Sequence, residues 1–78
     1  MKNRLKIERA ILNLTQYELA KKIGVSRQTI SSIEKNRYVP STVLALKLSL
    51  LFEKPINDFF ELEDSEISIL HKLDKKTD

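Results

Sequence analysis

The chain reads as an all-α fold, a compact bundle of five short helices over residues 1–60 with an acidic and apolar tail over residues 61–78. Three observations predict it. Thr15 and Glu18 have the Thr-x-x-Glu spacing of a capping box, in which hydroxyl and carboxylate each satisfy a free backbone N–H. Gly24, the only glycine, stands where the helix begun at Thr15 should stop, since a helix end commonly needs a left-handed residue. Ser26 and Ser41 each precede apolar residues at helical spacing and suit N-caps.

Taken in order, the first helix is expected over roughly Asn3–Leu12. Leu5, Glu8, Arg9 and Leu12 mark successive turns, and Ile7 and Ile11 form a second apolar pair. The second helix follows Thr15, with Leu19, Ala20 and Ile23 as its apolar stripe. Lys21 and Lys22 at its end complement the helix dipole. Val25 is a turn residue able to point inward. The third helix spans about Arg27–Lys35; Ile30 and Ile33 point one way, and Arg27, Gln28, Ser31, Ser32 and Lys35 point the other. Asn36 is a left-handed stop in a polar loop that runs to Val39-Pro40.

The fourth helix is expected over Thr42–Phe52 behind Ser41, with Leu44, Ala45, Leu48 and Phe52 inward. Val43, Leu46 and Leu50 form a second stripe, either a wide core face or a contact surface for another chain. Pro55 breaks the helix, because a residue before proline disfavours helical geometry. A short fifth helix, Ile56–Phe60, closes the core with Phe59 and Phe60. In the tail, Ser65 suits a cap for a helix over about Glu66–Leu73, yet Glu66-Ile67-Ser68-Ile69 also alternates as a strand would. Helix is the preferred reading, and Lys75–Asp78 is expected to fray.

Composition excludes several classes. The chain has no cysteine, so disulfides and cysteine-ligated metals are out, and its one histidine, His71, has no partners for a catalytic triad and is expected to be exposed. There is no glycine-rich phosphate loop and no metal-ligand spacing, so no catalytic residue, cofactor or metal is expected. No apolar run approaches a membrane span and no signal peptide is visible, which implies a cytoplasmic protein. Residues 1–40 carry nine Lys or Arg against three acidic residues; residues 41–78 carry five against eight. A basic half beside an acidic half suits a polyanion bound to the first.

The residues that carry chemistry lie on the third helix. Arg, Gln and Ser hydrogen-bond base edges or phosphates, and none of Arg27, Gln28, Ser31, Ser32 and Lys35 is acidic. The segment resembles the helix-turn-helix of lambda-repressor-like regulators, the Cro and xenobiotic-response-element type. The likeness rests on Leu14-Thr15-Gln16, Glu18-Leu19-Ala20, Ile23-Gly24-Val25-Ser26, Ile30-Ser31-Ser32-Ile33-Glu34 and Asn36-Arg37, and continues through Pro40-Ser41, Leu44-Ala45-Leu46 and Pro55-Ile56 to Phe60.

The resemblance implies a transcriptional regulator, most simply a repressor, that binds double-stranded DNA with its third helix in the major groove and associates with the nucleoid. It implies base reading by Arg27, Gln28, Ser31 and Ser32, the two serines allowing close approach while specifying little. It implies phosphate contacts from Gln16, Tyr17, Ser26, Thr29, Lys35, Asn36 and Arg37, and a structural ion pair between Arg9 and Glu34. Tyr17 takes a place usually polar in the family. A homodimer through the fourth and fifth helices and the tail is the expected assembly. The rival expectation is an antitoxin-like interaction module, whose tail covers a protein partner while the front binds DNA.

Overall fold

A computed structural model describes residues 1–76 of the chain, and the side chains of residues 1–70. It contains α1 (Leu5–Ile11), α2 (Gln16–Ile23), α3 (Arg27–Glu34), α4 (Thr42–Phe52) and α5 (Asp64–Lys76). A single 3₁₀ turn, Ile56–Asp58, follows α4, and two short strands, β1 (Lys2–Asn3) and β2 (Phe60–Glu61), pair antiparallel. The four-helix front and the 3₁₀ turn enclose one core of Leu5, Leu19, Ala20, Ile23, Ile30, Ile33, Leu44, Leu48, Phe52, Phe59 and Phe60. Phe52 and Phe59 meet edge-to-face with centroids 5.2 Å apart, an arrangement the ring quadrupoles favour.

The helix ends explain why so small a core suffices to order the chain. α2, α3 and α4 each begin with a side-chain cap, from Thr15, Ser26 and Ser41. α1 and α3 both close with paired bonds around a left-handed asparagine. Asn13 N donates to Ala10 O at 3.0 Å and Leu14 N to Arg9 O at 3.0 Å; Asn36 N donates to Ile33 O at 3.0 Å and Arg37 N to Ser32 O at 2.8 Å. The left-handed stop expected at Asn36 is present, with φ 59°. Glu53 also stops α4 in the left-handed region, at φ 54°, two residues before the proline that forbids continuation.

Four expectations need correction. The first helix is Leu5–Ile11, not Asn3–Leu12, because Lys2 and Asn3 are drawn into the β1–β2 ladder in register with Glu61 and Phe60, and Arg4 N donates to Phe59 O at 2.8 Å. Leu12 falls beyond the helix and is exposed. The fifth helix, Ile56–Phe60, is one 3₁₀ turn, and its last residue, Phe60, belongs to β2. The tail is α5, longer than Glu66–Leu73 and without the strand; it starts at Asp64 because Glu66 reaches back to accept the Glu63 N–H at 2.7 Å, leaving Ser65 inside the helix. That bond holds the Glu66 carboxyl below its ordinary range. The side chains of His71 and Leu73, and residues 77 and 78, lie outside the described residues.

Glu8 is buried although charged. Lys54 Nζ donates to its two carboxylate oxygens at 2.7 and 3.2 Å, tying α1 to the segment after α4. The second stripes remain uncovered: Ile7 and Ile11 on α1, and Val43, Leu46 and Leu50 on α4, are exposed, Leu50 to 79%. Ile67, Ile69 and Leu70 of α5 are also exposed. Among the described residues, no helix is long and apolar enough to cross a membrane.

Candidate nucleic-acid interface

The turn between α2 and α3 fixes how α3 is presented. Thr15 Oγ1 accepts the Glu18 N–H at 3.0 Å, while Glu18 accepts the Thr15 N–H at 2.9 Å. The backbone N–H of Thr15, then its hydroxyl, hold the Glu18 carboxyl below its ordinary value. At the far end Gly24 has φ 78°, and both its N–H and that of Val25 reach Ala20 O, at 2.9 and 3.0 Å. A Cβ on Gly24 would meet nothing within 4 Å, so the backbone angle, not crowding, selects glycine. Ser26 then caps α3 by accepting the Thr29 N–H at 3.2 Å, and the two hydroxyls lie 3.0 Å apart. One of the two O–H groups is spent on that contact and the other stays available to an outside acceptor.

Ile30 and Ile33 are fully enclosed, which pins α3 to the core and turns its opposite side outward. Arg27, Gln28 and Lys35 are exposed; Ser31 and Ser32 are half-buried, and their small side chains leave the helix surface low. Two shallow depressions flank this side. One, of about 350 Å³, gathers Ser26, Gln28, Thr29, Ser32, Arg37 and Tyr38. The other, of about 250 Å³, brings Tyr17 and Lys21 of α2 beside Arg27. Ser31, Lys35, Gln16 and Asn36 line neither. Tyr38 was missed in the sequence, although an aromatic next to Lys35-Asn36-Arg37 signals a surface able to stack on a sugar or base.

Glu34, the one acidic residue between Ser26 and Arg37, is turned away from this face. Arg9 Nε donates to Glu34 Oε2 at 2.8 Å and Arg9 Nη2 to Oε1 at 3.3 Å, a two-pronged ion pair with side chains only 16% and 7% exposed. Arg9 Nη1 also donates to Leu14 O at 2.8 Å, and Gln16 Nε2 donates to Glu34 Oε1 at 3.0 Å. One carboxylate thus joins the ends of α1 and α3 to the start of α2, and it positions Gln16. The amide of Gln16 keeps one N–H and its carbonyl for other partners.

Asn3 makes a second clamp. Its Oδ1 accepts the Leu5 N–H at 3.1 Å, and its Nδ2 donates to Ile33 O at 2.9 Å and to Asn36 Oδ1 at 2.7 Å. No grouping of His, Cys, Asp and Glu suited to a metal occurs among the described residues. The arrangement is an outward helix carrying Arg, Gln and Ser, edged by Arg37, Lys35 and Lys21, with its only carboxylate neutralised inside. Chemically it suits a polyanion with hydrogen-bonding edges.

Comparisons with known proteins agree with that chemistry. Residues 5–59 match the family model HTH_3, described as helix-turn-helix. The uncharacterized HTH-type transcriptional regulator MJ0272 of Methanocaldococcus jannaschii is 58% identical over 66 residues, covering 85% of this chain and all of that protein. The uncharacterized HTH-type transcriptional regulator YgzD of Bacillus subtilis is 45% identical over 64 residues, 82% of this chain and 97% of its own. The ImmF control region 10 kDa protein of Bacillus phage phi105 is 34% identical over 68 residues, 87% of this chain and 72% of its own.

Proposed function

Because the chain belongs to the helix-turn-helix family of DNA-binding transcriptional regulators, we propose that it is a sequence-specific repressor that reads the major groove with α3. The single observation that carries this reading is the composition of the outward side of α3. Arg27 and Gln28 stand free at its N-terminal end, beside short Ser31 and Ser32, and Glu34 is folded inward. Arg is matched to guanine O6 and N7, and Gln to adenine N6 and N7, both in bidentate fashion. Gln16, Tyr17, Ser26, Thr29, Lys35, Asn36 and Arg37 surround that helix and serve the sugar-phosphate backbone. Repression is then steric: a bound domain occludes the duplex. The site of action is the cytoplasm, on the nucleoid.

Residues 1–60 form the DNA-binding unit, and α5 with the uncovered stripe Val43, Leu46 and Leu50 joins two copies. A two-fold dimer reads half-sites about one helical turn, roughly 34 Å, apart. The same exposed apolar residues suit a protein partner, as in an antitoxin. Sedimentation decides between them: a monomer at high micromolar concentration, with and without operator, would count against the homodimer, and a co-purifying partner would favour the antitoxin reading.

Selection of bound duplexes from a random pool tests the central reading. The native protein should enrich a defined motif. Arg27→Ala should relax preference at one base pair, and an unchanged motif and affinity would remove α3 from the groove.

A further inference from the structure

We infer that Asn3, at the start of the chain and outside the helix-turn-helix, is a positioning residue that sets which way the Asn36 amide faces. The inference rests on the DNA-binding reading above and deepens it.

The bonding capacity of Asn3 leaves one arrangement. Its Oδ1 is committed to the Leu5 N–H, a donor whose direction the backbone fixes. The NH₂ end must therefore point the other way, where it meets Ile33 O and Asn36 Oδ1 at 2.9 and 2.7 Å. Ile33 O, like any carbonyl, only accepts, so it confirms that a donor stands there. Asn36 must in turn present its carbonyl oxygen to Asn3, because two NH₂ groups cannot bond each other through protons. Its own NH₂ is then the end turned away from Asn3, on an exposed residue of the loop after α3.

That orientation matters because phosphate oxygens accept and do not donate. An Asn36 amide turned by half a revolution would offer a carbonyl oxygen to the phosphate and repel it. The backbone supports the device at both ends. Asn3 is held in the ladder opposite Phe60, and Asn36 is locked in the left-handed region by the bonds that close α3. Asn3 itself need not touch DNA.

The test is a thermodynamic cycle read by duplex binding. Asn3→Ser keeps a neutral acceptor for Leu5 N–H but loses the reach to Asn36. Asn36→Gly keeps the left-handed backbone and removes the amide. With a duplex selected by the native protein, Asn36→Gly should lose affinity by roughly tenfold, the loss of one charge-assisted hydrogen bond, and Asn3→Ser by about three- to fivefold, the cost of turning a freed amide back to the donating orientation. In the Asn36→Gly background, Asn3→Ser should cost less than about twofold more. Losses of equal size in both backgrounds, with native circular dichroism, would overturn the positioning role alone. Failure of the native protein to retain any duplex would instead overturn the DNA reading. A second measurement needs no variant: in free protein labelled at asparagine nitrogens, the Asn3 side-chain NH₂ should exchange slowly and the Asn36 NH₂ fast. The reverse pattern would overturn the inference.

Discussion

Two neighbouring residues of α1 reach to different parts of the fold and meet very different partners. Arg9 turns toward the helix-turn-helix and grips Glu34 with two nitrogens, in a site nearly closed to solvent. Glu8 turns toward the rear with a carboxylate as enclosed as that of Glu34, 6% exposed, but it meets the ammonium of Lys54, whose side chain is 39% exposed. The front pair recruits Leu14 O and Gln16 as well, so four polar groups share one geometry. Among the described residues the rear pair joins α1 to a loop and draws in no further polar group. The front of the molecule is thus built to hold side chains in register, while the rear needs only to stay closed.

Breaking the front pair should give the largest effect. Arg9→Ala leaves Glu34 buried without its cation and should destabilise the domain by about 3–5 kcal/mol, seen as a lowered urea midpoint. Next come the side chains that the front presents. Arg27→Ala and Gln28→Ala should each cost about 1–3 kcal/mol in duplex affinity, with melting temperature nearly unchanged because both are exposed. Lys54→Ala strands the enclosed Glu8 carboxylate but leaves room for water where the partly exposed lysine stood, so a loss of about 1–3 kcal/mol in unfolding free energy is expected. If Lys54→Ala proved as damaging as Arg9→Ala, the contrast between the two sides would fail. Thr15→Ala removes the cap of α2 and should cost about 1 kcal/mol in the same urea titration.

Acid titrates the partner in that cap. The Glu18 carboxyl has a lower pKa folded than unfolded, so its contribution is complete above the unfolded value and is lost as pH falls through the folded one. Thermal melts should therefore show a small decline below about pH 4.5 that Glu18→Gln reduces.

How much of this was legible depended on the range of the signal. The capping box, the turn at Gly24, the Ser26 and Ser41 caps and the bounds of α4 are decided within four or five residues, and the sequence displays each of them. The β1–β2 pairing is not legible, since two residues offer no alternation and their partners, Glu61 for Lys2 and Phe60 for Asn3, lie 59 and 57 positions away. Drawing Asn3 into that ladder shortened α1. Glu8 was read as a turn marker because nothing local announces Lys54 as its partner. For the candidate interface, the character of the α3 face was readable from helical spacing. The Arg9–Glu34 pair came through family resemblance, and the engagement of Gln16 with Glu34 and of Asn3 with Asn36 came only with the fold.

The left-handed helix ends have a consequence for the denatured chain. Among the described residues four take positive φ, yet only Gly24 is a glycine; Asn13, Asn36 and Glu53 fill the other places. Each such residue bears some steric cost when folded. Each also roams less of conformational space when unfolded than glycine would, so ordering it forfeits less entropy. For a chain of 78 residues with a thin core, part of what favours the native state lies in the limited freedom of the state it leaves behind.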